Sequence, residues 1–158
     1  MAIRTLFFDL GDTLVTSSRT WLAGAKALLA SLKSKGFQIG IISNTGDLTT
    51  RAEILNLLPS DFDLSLFEPA LVLFSSEFGV AKPKPSIFEE AVRRANIPAG
   101  ECLYCSENIV ETLVAQSVGM LALRVQPPPA SDLSTLELRI ADFHNHAAST
   151  SVASVTAR

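Results

Sequence analysis

Short apolar runs alternate with segments of helical periodicity along most of the chain. Five of these runs are continuous rather than alternating with polar residues, which is typical of strands that are buried on both faces of a sheet. They cover residues 3–10, 37–42, 70–75, 102–105 and 120–125. The order of strands and helices indicates β-α-β units, and hence a parallel sheet with helices on both faces.

Helices are predicted between the strands and after the last one. Leu22, Ala25, Leu28, Leu29 and Leu32 recur at helical spacing. The predicted helices cover residues 21–35, 48–58, 85–95, 108–117 and 133–143. We therefore expect an α/β protein with three layers, α/β/α, whose single core domain spans residues 1–146. Residues 147–158 are rich in Ser, Ala and Thr, and we expect them to be disordered.

The composition excludes several classes of protein. Apolar residues make up 47% of the 158 residues and charged residues 18%, which favours a globular core over a disordered chain. The net charge of −3 and the absence of a basic cluster argue against nucleic acid or membranes as partners. No apolar run is long enough to cross a bilayer, and the start does not read as a signal peptide, so we expect a cytoplasmic protein.

The two cysteines and the two histidines offer no evident metal site. Cys102 and Cys105 stand three apart in a predicted strand, which directs their side chains to opposite faces and predicts packed, reduced thiols. His144 and His146 lie in a polar stretch without a cysteine or carboxylate cluster, and we interpret them as solvated surface residues.

Chemically active residues cluster at predicted strand ends, where open parallel sheets bind their ligands. They are Asp9, Asp12, Ser43, Asn44, Lys82, Glu107 and Glu111. A hydroxyl, a lysine and several carboxylates suit a phosphate group together with a divalent cation. The carboxylates would repel a phosphate dianion unless a hard metal ion bound both, so the pattern predicts a metal such as Mg²⁺.

The order and spacing of these residues resemble the four motifs of the haloacid dehalogenase superfamily. Residues 6–14, Leu-Phe-Phe-Asp-Leu-Gly-Asp-Thr-Leu, are similar to the first motif, and residues 41–44, Ile-Ile-Ser-Asn, to the second. The resemblance implies a Rossmann-like core. It also implies that Asp9 is a nucleophile that forms an aspartyl-phosphate. Ser43 and the backbone N–H of Asn44 then bind the phosphoryl group.

The third and fourth motifs have counterparts as well. Lys82, followed by Pro83, is similar to the lysine that stabilises the nucleophile and the phosphoryl charge. Glu107, Glu111 and Gly119 keep the spacing of the fourth motif. The resemblance implies that Mg²⁺ is bound by the carboxylate of Asp9, the carbonyl of Gly11 and the acids Glu107 and Glu111, with Glu107 the nearer of the two.

Two departures from the family pattern bear on activity. Gly11 replaces an aspartate that serves family phosphatases as general acid and base, so the leaving group lacks its usual proton donor. Asp12, one residue further on, is the rival candidate for that role and a candidate contact to substrate. Glutamates replace the usual aspartates of the fourth motif, which predicts a weak or water-bridged metal site.

The chain has no segment long enough for the cap domain that most family members insert beside the site. A capless, open site implies a phosphorylated substrate that is either a small molecule or a macromolecule, or a second copy of the chain that covers the rim. Trp21 lies where one type of cap would insert, and either a place at the site or a place in the core suits it.

Three functions remain open from the sequence. A magnesium-dependent phosphatase with Asp9 as nucleophile is preferred. A binding or scaffold domain without turnover is the alternative, and Gly11 and the two glutamates favour it. Hydrolysis of a carbon–halogen bond is disfavoured, because the resemblance implies that it needs a bulky residue at position 11 and a cap, and both are missing.

Overall fold

The strands form one parallel sheet. The structure, a computed structural model, describes the backbone of residues 2–155 and the side chains of residues 2–146. The sheet order is β3-β2-β1-β4-β5, and every pairing is parallel. The α/β class and the five-stranded sheet are thereby confirmed. The strands are β1 (Thr5–Phe8), β2 (Gln38–Ser43), β3 (Val72–Phe74), β4 (Cys102–Ser106) and β5 (Leu121–Arg124).

Helices connect the strands and cover both faces of the sheet. The described helices are α1 (Ala25–Ser34), α2 (Arg51–Leu55), α3 (Ser75–Phe78), α4 (Pro85–Ala95), α5 (Ile109–Ser117) and α6 (Leu133–Val155). The bounds of α4 agree with the prediction, and α5 begins one residue later. The helix α6 begins at Leu133 as predicted but continues to Val155, beyond the predicted end at residue 143. The backbone of residues 147–155, expected to be disordered, is thus helical, and the expectation stays a prediction for residues 156–158, which lie outside the described part of the chain.

Two predicted helices are shorter in the structure, each for a local reason. The backbone N–H of Leu22 donates to the carbonyl of Leu14, which keeps this stretch extended, and α1 begins only after Gly24, whose φ is +85°. Thr50 and Glu53 form a capping box in which each side chain accepts a hydrogen bond from the other residue's backbone N–H. That box sets the start of α2 at Arg51.

Alternate residues of the central strand β1 face opposite layers. Leu6 and Phe8 pack in the core beneath α1 and α6, whereas Phe7 packs in the core beneath α4 and α5. Cys105 and Cys102 divide in the same way between the two cores, and both are buried free thiols. Burial raises the pKa of Cys102 to about 11 and that of Cys105 to about 12, as expected for packed, reduced cysteines.

One position in β2 requires a glycine for packing. Gly40 lies beside Phe7 in the register of β1 and β2. A Cβ atom there would be 2.7 Å from the Phe7 ring and 2.7 Å from the carbonyl oxygen of Leu71. These distances are far below ordinary contact, so the phenyl ring occupies the space that a side chain would need.

The chain reverses direction across the sheet at β1. From β1 it proceeds through β2 to β3 at one edge, and it then returns to β4 and β5 on the other side of β1. The carboxyl ends of β1 and β4 therefore flank a topological switch point, which is where α/β sheets bind their ligands. Asp9 follows β1, and Glu107 follows β4.

No cap domain interrupts the described core. Trp21 lies in the segment between β1 and α1, where it stacks on Phe62 with ring centroids 5.0 Å apart. Its Nε1–H donates to Oδ1 of Asp61 at 2.8 Å. Trp21 therefore packs this segment against the loop before β3. It is partly buried, and it is neither a central core residue nor a site residue.

The prediction for the histidines is wrong for one of them. His144 is partly buried and packs edge-on against Phe37, with ring centroids 5.7 Å apart, because α6 lies against α1 and brings His144 to the residue that precedes β2. His146 is exposed, as expected. No helix in the described part of the chain is both long and apolar enough to cross a lipid bilayer.

Candidate active site

Asp9 lies just beyond the end of β1, and the ends of two strands hold it there. Its backbone N–H donates to the carbonyl of Cys105 at 3.0 Å, which joins the ends of β1 and β4. Its Oδ1 accepts the backbone N–H of Leu10 at 2.8 Å. The residue is 8% exposed, and burial raises the pKa of its carboxyl to about 6, although the charge of Lys82 acts in the opposite direction.

Lys82 brings the opposite charge to Asp9. Its Nζ lies 2.8 Å from Oδ1 of Asp9, and its side chain is almost completely buried. The amide side chain of Asn44 fixes the lysine's backbone, since Oδ1 accepts the Lys82 N–H at 2.8 Å and Nδ2 donates to the Lys82 carbonyl at 2.9 Å. The second and third motifs are thus joined by two hydrogen bonds. The side chain of Asn44 is thus committed to Lys82, whereas the predicted contact to a phosphoryl group uses the backbone N–H of Asn44.

Glu111 faces the interior and contacts Lys82. Its Oε2 lies 2.9 Å from the lysine Nζ, and it also accepts the hydroxyls of Tyr104 at 2.7 Å and Ser106 at 3.1 Å. Since α5 begins at Ile109, Glu111 lies in its first turn and reaches back under the end of β4. One oxygen of this predicted metal ligand is therefore surrounded by three donors.

Glu107 lies nearer the rim and has a different partner. Thr13, which follows β1, donates its hydroxyl to Oε2 of Glu107 at 2.8 Å and accepts the backbone N–H of Glu107 at 3.2 Å. Ser106 also lies 3.2 Å from the same carboxylate oxygen. These contacts orient the carboxylate and tie the loop after β4 to the loop after β1.

Ser43 ends β2 with a hydroxyl that is not committed elsewhere. The residue is 6% exposed, and its hydroxyl makes no hydrogen bond within the described part of the protein. The neighbouring Thr45 differs, because its hydroxyl and backbone are bonded to Ser75 and Ser76. Ser43 is thus the hydroxyl at this strand end that is available to a bound group.

Gly11 and Asp12 differ in backbone conformation. Gly11 lies outside the left-handed region, and a Cβ atom built on it would meet nothing within 4 Å. Asp12 is exposed and has a φ of +55°, a left-handed conformation that Asn and Asp tolerate better than most residues. The position that needs a positive φ therefore carries a side chain, whereas the glycine occupies a position where a side chain would fit.

The oxygens required for the implied magnesium ion are free of competing donors. Oδ2 of Asp9, Oε1 of Glu107 and the carbonyl of Gly11 accept no hydrogen bond from the residues that the structure describes. Oxygen ligands of this kind suit Mg²⁺. No group of three or more His, Cys, Asp or Glu side chains with the arrangement of a metal site occurs among the described residues. The donor set thus fits a site of two carboxylates and a carbonyl, which depends on Gly11 and not only on acids.

Three residues with contacts at the site had no predicted role. Thr13 orients Glu107, while Tyr104 and Ser106 bind Glu111. Tyr104 carried a signal, because it is the single tyrosine of the chain and stands in an apolar strand, where a phenol needs a partner for its hydroxyl. For Ser106 the signal was its place at a strand end.

Comparison with known proteins identifies the family of the chain. Residues 19–119 match the family model of haloacid dehalogenase-like hydrolases, a span that begins after Asp9. Two proteins described as glyceraldehyde 3-phosphate phosphatase are similar over 99 residues. The relative from Pyrococcus abyssi is 33% identical and that from Pyrococcus furiosus 32%. Each alignment covers 61% of this chain but only 39% and 38% of the relatives, so the chain spans well under half of their length.

Solved structures share the fold at low sequence identity. A haloacid dehalogenase-like hydrolase from Xanthomonas campestris superposes with a TM-score of 0.73 at 11% identity, covering 94% of this chain and 95% of the other. A HAD family enzyme from Bacteroides thetaiotaomicron, solved with magnesium and inorganic phosphate, has a TM-score of 0.66 at 18% identity, with 85% and 98% covered. Since the family model matches well over half of the chain, the protein belongs to the haloacid dehalogenase-like hydrolases.

Proposed function

We propose that this protein is a magnesium-dependent phosphatase that acts through an aspartyl-phosphate on Asp9. The observation that supports it most is the buried ion pair between Asp9 and Lys82 at the switch point of the sheet. Ser43, whose hydroxyl has no partner among the described residues, ends the neighbouring strand β2. An ionised carboxylate, a cation and a hydroxyl are the groups that phosphoryl transfer to an aspartate requires. The names of the two Pyrococcus relatives also favour a phosphoric monoester as substrate.

In the proposed reaction the Asp9 carboxylate attacks phosphorus, and the bond from phosphorus to the leaving oxygen breaks. A water molecule then hydrolyses the aspartyl-phosphate and restores the carboxylate. Lys82 stabilises the carboxylate before attack and the phosphoryl oxygens during it, while Ser43 and the N–H of Asn44 hold the transferring group. Asp9, Gly11 and Glu107 would hold Mg²⁺, which when bound would neutralise charge on the phosphoryl oxygens.

The open rim of the site indicates the class of substrate but not the individual compound. Without a cap in the described core, the site admits a small phosphate ester as well as a phosphorylated macromolecule. A second copy of the chain is a further proposed partner, since it could cover the rim. We place Asp12 at this rim as a contact to substrate, because it is exposed and only three residues from Asp9.

Hydrolysis of an aryl phosphate by the wild type and by Asp9→Asn tests the function. The amide keeps the shape of the side chain but removes the nucleophilic charge, so turnover should disappear. Ser31→Ala, which removes a hydroxyl bonded to Glu137 on the α1–α6 side, is the control and should keep its activity. Activity that survives in Asp9→Asn, or that persists in excess EDTA, would contradict the proposal.

A binding domain without turnover is the second candidate, and Gly11 favours it. This residue leaves the site without a carboxylate at the position from which the family supplies its general acid. Wild-type protein that binds Mg²⁺ with a phosphate mimic, but hydrolyses neither aryl nor acyl phosphates, would establish this function instead.

A further inference from the structure

The ammonium group of Lys82 has three oxygen partners. Its Nζ lies 2.8 Å from Oδ1 of Asp9, 2.9 Å from Oε2 of Glu111 and 3.0 Å from the hydroxyl of Tyr104. A lysine ammonium carries three N–H donors, so these partners account for all of them. The charged end of a flexible side chain is thus held from three sides in a buried position.

Tyr104 connects two of these groups to each other. Its hydroxyl accepts from Lys82 and donates to Oε2 of Glu111 at 2.7 Å. Burial, reinforced by the charges of Asp9 and Glu111, holds the pKa of Tyr104 well above its ordinary value, and the phenol therefore stays a donor. Phe88 packs edge-on against the tyrosine ring, with centroids 5.1 Å apart, and restrains it from the α4 side.

Ser106 completes the set of donors around Glu111. Its hydroxyl lies 3.1 Å from the Oε2 atom that Lys82 and Tyr104 also contact. Lys82 and Tyr104 both donate to this oxygen, and the Ser106 hydroxyl is the third group in contact with it, although its single proton is shared with Glu107. Together these contacts fix the position of Glu111, and through it that of Lys82. This arrangement gives Glu111 a partner other than a metal ion.

We propose that Tyr104 is a positioning residue for the reaction, which holds the Lys82 ammonium on Asp9 by closing a hydrogen-bonded ring with Glu111. The inference rests on the proposed phosphatase function. Without the hydroxyl, the ammonium loses one of three acceptors and Glu111 loses one of the three groups in contact with its Oε2 atom. The ammonium is then free to shift from Asp9 toward Glu111. Among the described residues, Tyr104 makes no hydrogen bond to Asp9, Gly11 or Glu107, which are the residues proposed to hold Mg²⁺, and in the proposed reaction it does not touch the substrate.

The test is Tyr104→Phe, which keeps the ring against Phe88 and removes only the hydroxyl. We expect kcat for an aryl phosphate to fall between about 10- and 100-fold, because a small displacement of a catalytic group lowers the rate by about this amount. KM should change less than about twofold, and so should the affinity for Mg²⁺, which is measured by calorimetry. The reason is that, in the proposed site, the Tyr104 hydroxyl contacts neither the substrate nor the Mg²⁺ ion.

Thr5→Val is the matched control. Thr5 is also buried in a strand, at the end of β1 opposite to Asp9. Its hydroxyl donates to the side chain of Gln38. Its loss should leave kcat unchanged at a comparable loss of stability. An unchanged kcat in Tyr104→Phe, or an equal fall in kcat for both variants, would overturn the proposal.

A second measurement does not depend on turnover. In wild type, the ¹H–¹⁵N signal of the Lys82 ammonium, assigned by its disappearance in Lys82→Met, should be protected from exchange with water, because three acceptors hold its protons. In Tyr104→Phe that exchange should accelerate. If the wild type hydrolyses no phosphate ester, the phosphatase proposal fails, and the exchange rates still decide the positioning by Tyr104. Unchanged exchange in the variant would overturn it.

Discussion

Lys82 and Asp9 form a buried ion pair, with Nζ and Oδ1 2.8 Å apart, at the point where the order of strands reverses. The lysine does not compensate fully for burial, because the pKa of Asp9 is still raised to about 6. The charge at position 9 therefore opposes folding, which is consistent with the nucleophilic role that we propose for Asp9.

The raised pKa of Asp9 predicts how stability depends on pH. Between the unfolded value of 3.8 and the folded value of about 6, the folded protein binds more protons at Asp9 than the unfolded chain does. Stability should therefore fall as pH rises through this window, by at most about 3 kcal/mol for a shift of about two units. Asp9→Asn removes the titrating group, so in EDTA its gain in stability over wild type should grow between pH 4 and 6 and then level off.

Urea denaturation of both proteins across this range measures the effect. Ser43→Ala, which removes an uncharged neighbour at the same rim, should retain the pH dependence of the wild type. A constant difference between wild type and Asp9→Asn at every pH would contradict the raised pKa.

The two acids of the fourth motif should differ in their effect on metal binding. Glu107→Gln should weaken Mg²⁺ binding by about tenfold or more, because it removes the charge from a predicted ligand. Glu111→Gln should weaken it much less, since Oε2 of Glu111 is bound to Lys82, Tyr104 and Ser106. Calorimetric titration with Mg²⁺ in the absence of substrate compares the two variants. Equal losses of Mg²⁺ affinity would show that Glu111 is a ligand too.

Gly11 should make the reaction sensitive to the leaving group. General acid catalysis is worth about 10²- to 10⁴-fold, and its absence affects a basic alkoxide far more than an aryl oxide or a carboxylate. Wild type should therefore favour aryl and acyl phosphates. Gly11→Asp should accelerate alkyl phosphates more than aryl ones, because a Cβ at this position meets nothing within 4 Å.

Asp12→Asn tests the rival proton donor. Asn tolerates the left-handed conformation at position 12 as well as Asp does, so the backbone should be unaffected. Rates for one aryl and one alkyl phosphate in wild type and both variants distinguish the two carboxyl positions. A flat dependence on the leaving group in wild type that becomes steep in Asp12→Asn would identify Asp12 as the acid.

Gly40→Ala should destabilise the sheet without altering the site. The added methyl group would lie 2.7 Å from the Phe7 ring and from a backbone oxygen of Leu71, and overpacking of this kind costs about 1–3 kcal/mol. Gly11→Ala, which adds the same methyl group in open space, is the control and should have little effect on the free energy of unfolding. Equal stability of the two variants would show that the sheet adjusts at Gly40.

The elements of the fold, and which residues lie at the carboxyl ends of the strands, could be predicted from the sequence by itself. Continuous apolar runs are a local property, so all five strands were found, and α4 was found to the residue because Pro85 marks its start. Asp9, Ser43 and Glu107 each follow a strand, and parallel strands bring their carboxyl ends to one edge. The starts of two helices could be predicted less accurately. The Thr50–Glu53 capping box and the extended segment at Trp21 make these helices shorter than the sequence pattern indicates.

The strand order and the partners of the polar side chains were decided by the tertiary structure. Glu107 and Glu111 are both glutamates and lie four residues apart. The sequence around them does not show that the first binds Thr13 and the second binds Lys82. That division arises because β1 and β4 are neighbours and because α5 directs its first turn under the end of β4. Tyr104 likewise meets Lys82 only when the loop before α4 is folded against β4, so its role depends on contacts between segments that are distant in the chain.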